Sequence, residues 1–214
     1  MEAVIATGTH GRYLVEAPAA DGPAPLLVGF HGYAEGAEAQ LERMKAIPDS
    51  GRWLLVSVQG LHRFYQRRSN EVVAGWMTSQ DRELAIADNI AYVAAVVAAV
   101  RTRFATTQAM VFTGFSQGVA MAYRAAVNAP QPSRVIAVGG DVPPELGPEA
   151  LGRLSAALVC HGTADAWYKP ETFADDIRRL KESGVDVRPL ECQGGHEWSA
   201  DAISAAGLFL RDLG

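Results

Sequence analysis

AMVFTGFSQGVAMAYRAAV, residues 109–127, passes from an apolar strand into a helix-forming run with almost nothing between them. Ala109 to Thr113 has the branched and aromatic content of a buried strand, and Val119 to Val127 suits a helix. Gly114-Phe115-Ser116-Gln117-Gly118 must make the whole turn. Close packing there leaves no room for side chains, which accounts for Gly114 and Gly118. A serine at the tip of such a turn holds its hydroxyl above the sheet, while the helix start aims peptide N–H groups at developing negative charge. Ser116 is therefore the candidate nucleophile, and the Gln117 N–H is one candidate oxyanion donor. Outside this strand–turn–helix setting, the same five residues would read as a tight turn whose serine satisfies backbone groups.

The rest of the chain alternates in the same way. Arg12–Ala17 and Leu26–Phe30 read as strands, the first pairing in a hairpin with Ala3–Thr7, and Trp53–Val58 follows. A helix is expected from about Asp81 to Phe104, with Leu84, Ile90, Val93, Val97, Val100 and Phe104 forming one apolar stripe. Strands at Arg134–Val138, Ala157–Cys160 and Asp186–Glu191 alternate with helices at about Pro170–Ser183 and Ser199–Leu213. Such repetition implies right-handed crossovers and a mostly parallel sheet covered by helices on both faces, an α/β fold. Ligands bind such sheets at the carboxyl ends of the strands. Those ends read Phe30-His31-Gly32-Tyr33, the Ser116 turn, Gly140-Asp141, His161-Gly162-Thr163-Ala164-Asp165 and Gly194-Gly195-His196.

A serine needs a positioned base, and the base needs an acid that fixes its tautomer. Of five histidines, His196 follows the last strand through two glycines, where a loop can carry it back over Ser116. His31 and His161 each precede a glycine at a strand end and read as turn braces; His10 and His62 lack supporting context. Asp165 and Asp141 compete as the acid. Asp165 gives the chain order Ser, Asp, His from a strand neighbouring that of His196, and is preferred. The loop after Leu26–Phe30 should supply a second oxyanion donor, the Tyr33 N–H. Cys160, His161, Cys192 and His196 could nominally form a zinc set. Adjacent residues on a strand end point to opposite faces, however, so no metal is expected. The two cysteines read as buried thiols in neighbouring strands, with a pairing between them left open.

Bulk properties limit the function classes. The 214 residues are 49% hydrophobic and 20% charged with a net charge of −5, ordinary for one globular domain spanning 1–214. No basic face suggests nucleic acid; Arg63-Phe64-Tyr65-Gln66-Arg67-Arg68 is too short. Neither a secretory signal nor an apolar run near the roughly 18 residues of a membrane span was evident. A soluble, cytoplasmic monomer or homodimer is expected.

His31-Gly32, Gly114-Phe115-Ser116-Gln117-Gly118, His161-Gly162-Thr163-Ala164-Asp165 and Gly195-His196 together resemble the α/β-hydrolase superfamily. More narrowly, the chain looks like the phospholipase/carboxylesterase group that includes acyl-protein thioesterases. The resemblance covers nearly the whole chain. It implies an α/β-hydrolase fold without a large lid domain and a cofactor-free serine esterase. The implied site is a Ser116–His196–Asp165 triad with the Tyr33 and Gln117 amides as the oxyanion hole. Val119 stands where the group usually has a second glycine, and Pro170 falls one residue later than usual after Asp165.

The expected activity is hydrolysis of short- to medium-chain carboxylic esters or thioesters, the small-molecule partner of this site. The aperiodic segment Gly60–Ser79 carries Phe64, Tyr65, Trp76 and Met77, and Tyr33, Trp167, Tyr168 and Trp198 lie near other strand ends. Trp76, Met77, Trp167, Tyr168 and Trp198 are the candidate substrate contacts; packing of the domain is the competing reading for half of them. An aryl-ester esterase of feruloyl type is the nearest alternative. A peptidase or perhydrolase would use the same triad, and a non-catalytic binding protein on this fold is the rival from another class.

Overall fold

The structure, a computed structural model, describes residues 3–212. Its strands are β1 (Arg12–Glu16), β2 (Ala24–Phe30), β3 (Leu54–Gln59), β4 (His62–Tyr65), β5 (Val72–Gly75), β6 (Thr106–Phe115), β7 (Ser133–Val138), β8 (Leu154–Gly162) and β9 (Asp186–Cys192). Seven of them form one sheet in the order β1-β3-β2-β6-β7-β8-β9; β4 and β5 make a separate hairpin. Within that sheet, among the described residues, only the edge strand β1 is antiparallel, paired to β3 with Val15 opposite Val56. All other ladders in that sheet are parallel.

The continuous apolar runs explain the centre of this sheet. Leu26, Leu27, Val28 and Phe30 of β2 are fully buried, so neither face of the strand meets water. Fully burying each such side chain contributes about 1.5–3 kcal/mol. Helices α1 (Ala37–Lys45) and α6 (Ala200–Arg211) cover one face, setting Met44 and Phe209 in a cluster with Leu27, Leu55 and Ile136. On the other face lie α2 (Arg82–Arg103), α3 (Gln117–Val127) and α5 (Pro170–Glu182), where Val93, Met121 and Phe173 join Leu26, Phe112 and Val159. A short α4 (Pro148–Leu151) joins β7 to β8. The edge strand β9 tolerates Pro189 because one side of an edge has no ladder to serve.

From β2 the chain moves through α1 to β3 on one side, and from β6 through α3 to β7 on the other. The strand order therefore reverses between β2 and β6, which opens a crevice where the His31 loop and the Ser116 turn face each other. A small hairpin, β4–β5, stands beside this crevice rather than a lid domain. It is tied to the β2 loop by a bridge between Glu35 and Ala74.

Three sequence expectations change. Ala3–Thr7 forms no strand: Val4 and Ile5 are exposed, and β1 takes β3 as its partner instead. The segment Gly60–Ser79, aperiodic in sequence, holds the β4–β5 hairpin. And α2, although interrupted by Asp88 and Asn89, is by length and composition apolar enough to cross a membrane. Here it is the crossover between β5 and β6, with Val93, Val96 and Val100 buried. Of the last expected helix, Leu213 lies outside the described residues.

A Cβ placed on Gly118 would collide with the carbonyl oxygens of Phe30 and His31, whereas one on Gly8 meets nothing within 4 Å. Gly118→Ala is expected to cost about 1–3 kcal/mol by overpacking. That lowers the melting temperature by roughly 2–12 °C in a chain of this size, while Gly8→Ala leaves it unchanged. Equal melting temperatures for the two variants would contradict this packing.

Candidate active site

Ser116 is held in a rare backbone conformation, φ 52° and ψ −123°, between β6 and α3. Such a conformation costs on the order of 1–3 kcal/mol and persists only where its surroundings enforce it. They do so through backbone contacts on several sides. The Ser116 N–H donates to the Val138 carbonyl at 3.0 Å, and its carbonyl accepts from the Val119 N–H at 3.0 Å. A Cβ on Gly114 would strike the Gly118 carbonyl, and one on Gly140 would sit 2.5 Å from the Ser116 carbonyl oxygen. The two glycines seen in the sequence thus share the task with Gly140.

His196 reaches this turn from the far edge of the sheet because the loops after β8 and β9 are laced together. The Thr163 N–H donates to the Cys192 carbonyl at 2.9 Å, and the Ala164 N–H to the Gly194 carbonyl at 2.8 Å. Gly194 supplies the φ of +138° that this loop requires. The lacing sets Asp165 beside His196, with 2.8 Å between Asp165 Oδ2 and His196 Nδ1. With Nδ1–H donated to the carboxylate, Nε2 is left as the basic nitrogen. The imidazole packs on the Phe115 ring at 5.0 Å. Its Nδ1 and Cε1 also lie 3.3 Å from where a Cβ of Gly139 would be. Phe115, Gly139 and Gly140 therefore bring His196 to the Ser116 turn. Asp141 is exposed and is not the partner of His196.

Burial opposes charge on Asp165, but three donors outweigh it. His196 binds Oδ2, and the Trp167 and Tyr168 N–H groups both donate to Oδ1 at 2.8 and 3.0 Å. They hold this carboxyl below its ordinary range, so it is ionised at neutral pH and can stabilise an imidazolium.

The loop after β2 is braced by His31, which is fully buried. Its Nδ1–H donates to the Gly32 carbonyl at 2.7 Å, and its Nε2 accepts the Gly60 N–H at 3.0 Å. Burial, partly offset by that carbonyl, lowers its pKa and keeps the ring neutral. Further along, the Gly32 N–H goes to Glu35 Oε2 at 2.8 Å and the Ala34 N–H to the Ala74 carbonyl at 3.0 Å. Glu35 is itself gripped by Arg43 through two bonds of 2.6 Å. Arg43 also stacks over the Phe115 ring at 4.3 Å. The Tyr33 N–H lies between these two committed donors. His161 is buried and stacks on Phe173 at 5.1 Å, but among the described residues neither of its ring nitrogens finds a hydrogen-bond partner, so it packs against its neighbours rather than bracing the turn as His31 does.

Sequence reasoning did not foresee the side chain of Gln117. Its Oε1 accepts the Trp76 N–H at 2.9 Å, and its Nε2 donates to the Met77 carbonyl at 3.1 Å. One residue thus places its N–H at the first turn of α3 and its amide on the loop after β5. No signal in GFSQG distinguishes the second task from the first.

The expected substrate contacts separate into two groups. Trp76 is fully buried, its indole N–H donating to the His31 carbonyl at 2.9 Å and its ring edge-on to Phe30. Met77 is buried against Arg124. Tyr168 is buried and donates its hydroxyl to Asp176 at 3.0 Å. These three side chains turn into the interior, which corrects their reading as substrate contacts. Trp198 is half-buried, edge-on to Phe115. Trp167 stands free at 83% exposure, and Tyr33, 60% exposed, stacks on Phe64 at 5.6 Å. Cys160 and Cys192 are free, buried thiols, and burial pushes the Cys160 pKa up. Among the described residues no group of three His, Cys, Asp or Glu could hold a metal.

The phospholipase/carboxylesterase family profile matches residues 14–210. Among solved structures, esterase PE8 superposes with a TM-score of 0.76 at 22% identity, covering 95% of this chain and 99% of that one. Zea mays acyl-protein thioesterase 2 gives 0.74 at 20% identity, with 95% and 99% covered. The Bacillus cereus carboxylesterase gives 0.71 at 14% identity, with 94% of each covered. At these identities the likeness carries the α/β-hydrolase fold. Among curated proteins compared by sequence, none matches. The match to the family profile over nearly the whole length makes the chain a member of the phospholipase/carboxylesterase family, hydrolases of ester bonds.

Proposed function

We propose that residues 1–214 form one serine carboxylesterase domain that hydrolyses short- to medium-chain esters or thioesters through an acyl-enzyme on Ser116. The observation that carries this reading is the 2.8 Å bond from His196 Nδ1 to Asp165, beside a serine held at φ 52°. Ser116 Oγ attacks the carbonyl carbon while His196 Nε2 takes its proton. The tetrahedral oxyanion is bound by the Tyr33 and Gln117 N–H groups. A lost donor of this kind costs about 3 kcal/mol of transition-state stabilisation. His196 then protonates the leaving alcohol or thiol, and a water activated by the same nitrogen releases the acid. The reading needs no cofactor.

The names of esterase PE8 and of the maize acyl-protein thioesterase agree with ester and thioester substrates alike. An aryl-ester preference is favoured by a different observation. Trp167 and the Tyr33–Phe64 pair offer exposed aromatic surface on either side of the site.

Hydrolysis of nitrophenyl esters, acyl thioesters and feruloyl esters in a chain-length series tests both readings. Ser116→Ala is expected to lose about 10³-fold or more in kcat and Asp165→Asn roughly 10²–10⁴-fold. Asp141→Asn should stay within about twofold, as a change at an exposed site away from the reacting groups. Full activity in Asp165→Asn with loss in Asp141→Asn would reverse the assignment of the acid.

Acid stability gives an independent check. Because the folded state lowers the Asp165 pKa, its ionised form stabilises the fold above the unfolded value of about 4. That contribution is lost as pH falls through the lower folded value. Asp165→Asn should therefore lose less melting temperature than the unaltered chain on acidification below about pH 4. Parallel curves would contradict the assigned environment.

A further inference from the structure

We infer that Asp176, on α5 and outside the catalytic set, is a positioning residue that holds both loops framing the His196–Asp165 pair. This rests on the catalytic reading given above. Asp176 is buried, and a single oxygen does two tasks: Oδ2 accepts the Val142 N–H at 3.0 Å and the Tyr168 hydroxyl at 3.0 Å. Val142 closes the segment that carries Gly139 and Gly140, the ledge behind His196 and Ser116. Tyr168 is one of the two residues whose N–H groups fix Asp165 Oδ1. The same carboxylate atom thus sets the ledge on one side of the imidazole and the acid on the other.

The remaining contacts around it isolate this role. Arg179, one turn along α5, donates to Asp176 Oδ1 at 3.3 Å and independently to the Val142, Pro143 and Leu146 carbonyls at 2.9 to 3.0 Å. Arg179 therefore remains anchored when the charge of Asp176 is removed. The Tyr168 ring packs edge-on to His161 and Phe173, so deleting its hydroxyl leaves the fold intact while it frees the Asp165 loop from Asp176. An Asn at 176 keeps an oxygen able to accept both donors, whereas Ala keeps none.

The groups facing Asp176 come from several elements: Arg179 on its own helix, Tyr168 from the loop after β8 with His161 behind its ring, Tyr123 from α3, and Asp141 from the loop after β7. Burial pushes its pKa up to about 6 against the two donors and Arg179, with Asp141 adding to the rise. A carboxyl whose pKa is raised on folding contributes stability in its protonated form. That contribution is present below about pH 4 and is lost as pH climbs to the folded value. Ionisation is the form in which both Oδ2 acceptor bonds are strongest.

The test compares Asp176→Asn, Asp176→Ala and Tyr168→Phe in the full chain, with kcat and KM for a nitrophenyl ester measured against pH. Tyr168→Phe and, where it folds, Asp176→Ala are expected to lose about fivefold or more in kcat with KM within twofold, since small misplacements of reacting groups act on the chemical step. Asp176→Asn is expected to recover kcat to within about threefold and to lose the fall in melting temperature expected of the unaltered chain between about pH 4 and 6. Unchanged kcat in folded Tyr168→Phe, or Asp176→Asn as impaired as Asp176→Ala, overturns the inference. If the unaltered chain lacks Ser116-dependent ester hydrolysis, the catalytic reading itself fails. An active unaltered chain with a fully active Tyr168→Phe removes the Asp176 role alone.

Discussion

Gly118 lies so close to the end of β2 that the Phe30 and His31 carbonyl oxygens occupy the space of a side chain. This backbone-on-backbone contact sets the start of α3 against the loop that follows β2. Two peptide N–H groups distant in sequence, Tyr33 and Gln117, then come to the same crevice, and Ser116 is pressed into its strained turn between them. A larger residue at position 118 would separate the helix from the strand and pull apart Ser116 and the two amides proposed as oxyanion donors. The cores on both faces of the sheet supply the stability that enforces this contact.

Around the contact, polar side chains stitch the loops to one another. Gln117 holds the loop after β5, Glu35 and Arg43 hold the loop after β2 and the Phe115 ring, and Asp176 with Arg179 holds the loop after β7. Each is a charged or amide group with several partners, so the loops above the strand ends behave as extensions of the sheet. Rigid loops suit a site that relies on fixed N–H donors, because prearranged dipoles need no reorganisation when charge develops. Exposed aromatic surface at Trp167 and Tyr33 is left free to meet a substrate.

The parts legible in the sequence were those whose signal is local. LLVGF and RVIAV read as interior strands because both faces are buried, and GFSQG read as the turn because two glycines and a serine meet there. The pairing of His196 with Asp165 rather than Asp141 followed from strand order. Other features depend on distant partners. α1 was missed because its buried stripe includes Gln40 beside Ala37 and Met44, which blunts the apolar period. The β4–β5 hairpin was missed because His62 and Arg63 are exposed and the strands are held by backbone pairing. Trp76 and Tyr168 sit at strand ends like rim residues. Only the acceptors waiting inside, the His31 carbonyl and Asp176, decide that they turn inward.

The central claim is that this arrangement activates Ser116. Its most direct test is to treat the folded protein with a fluorophosphonate and locate the modified residue by mass spectrometry, which requires no guess at the substrate. The account expects modification at Ser116 that disappears on heat unfolding and in Ser116→Ala. A folded sample left unmodified at Ser116 would contradict it and leave the fold as a binding scaffold.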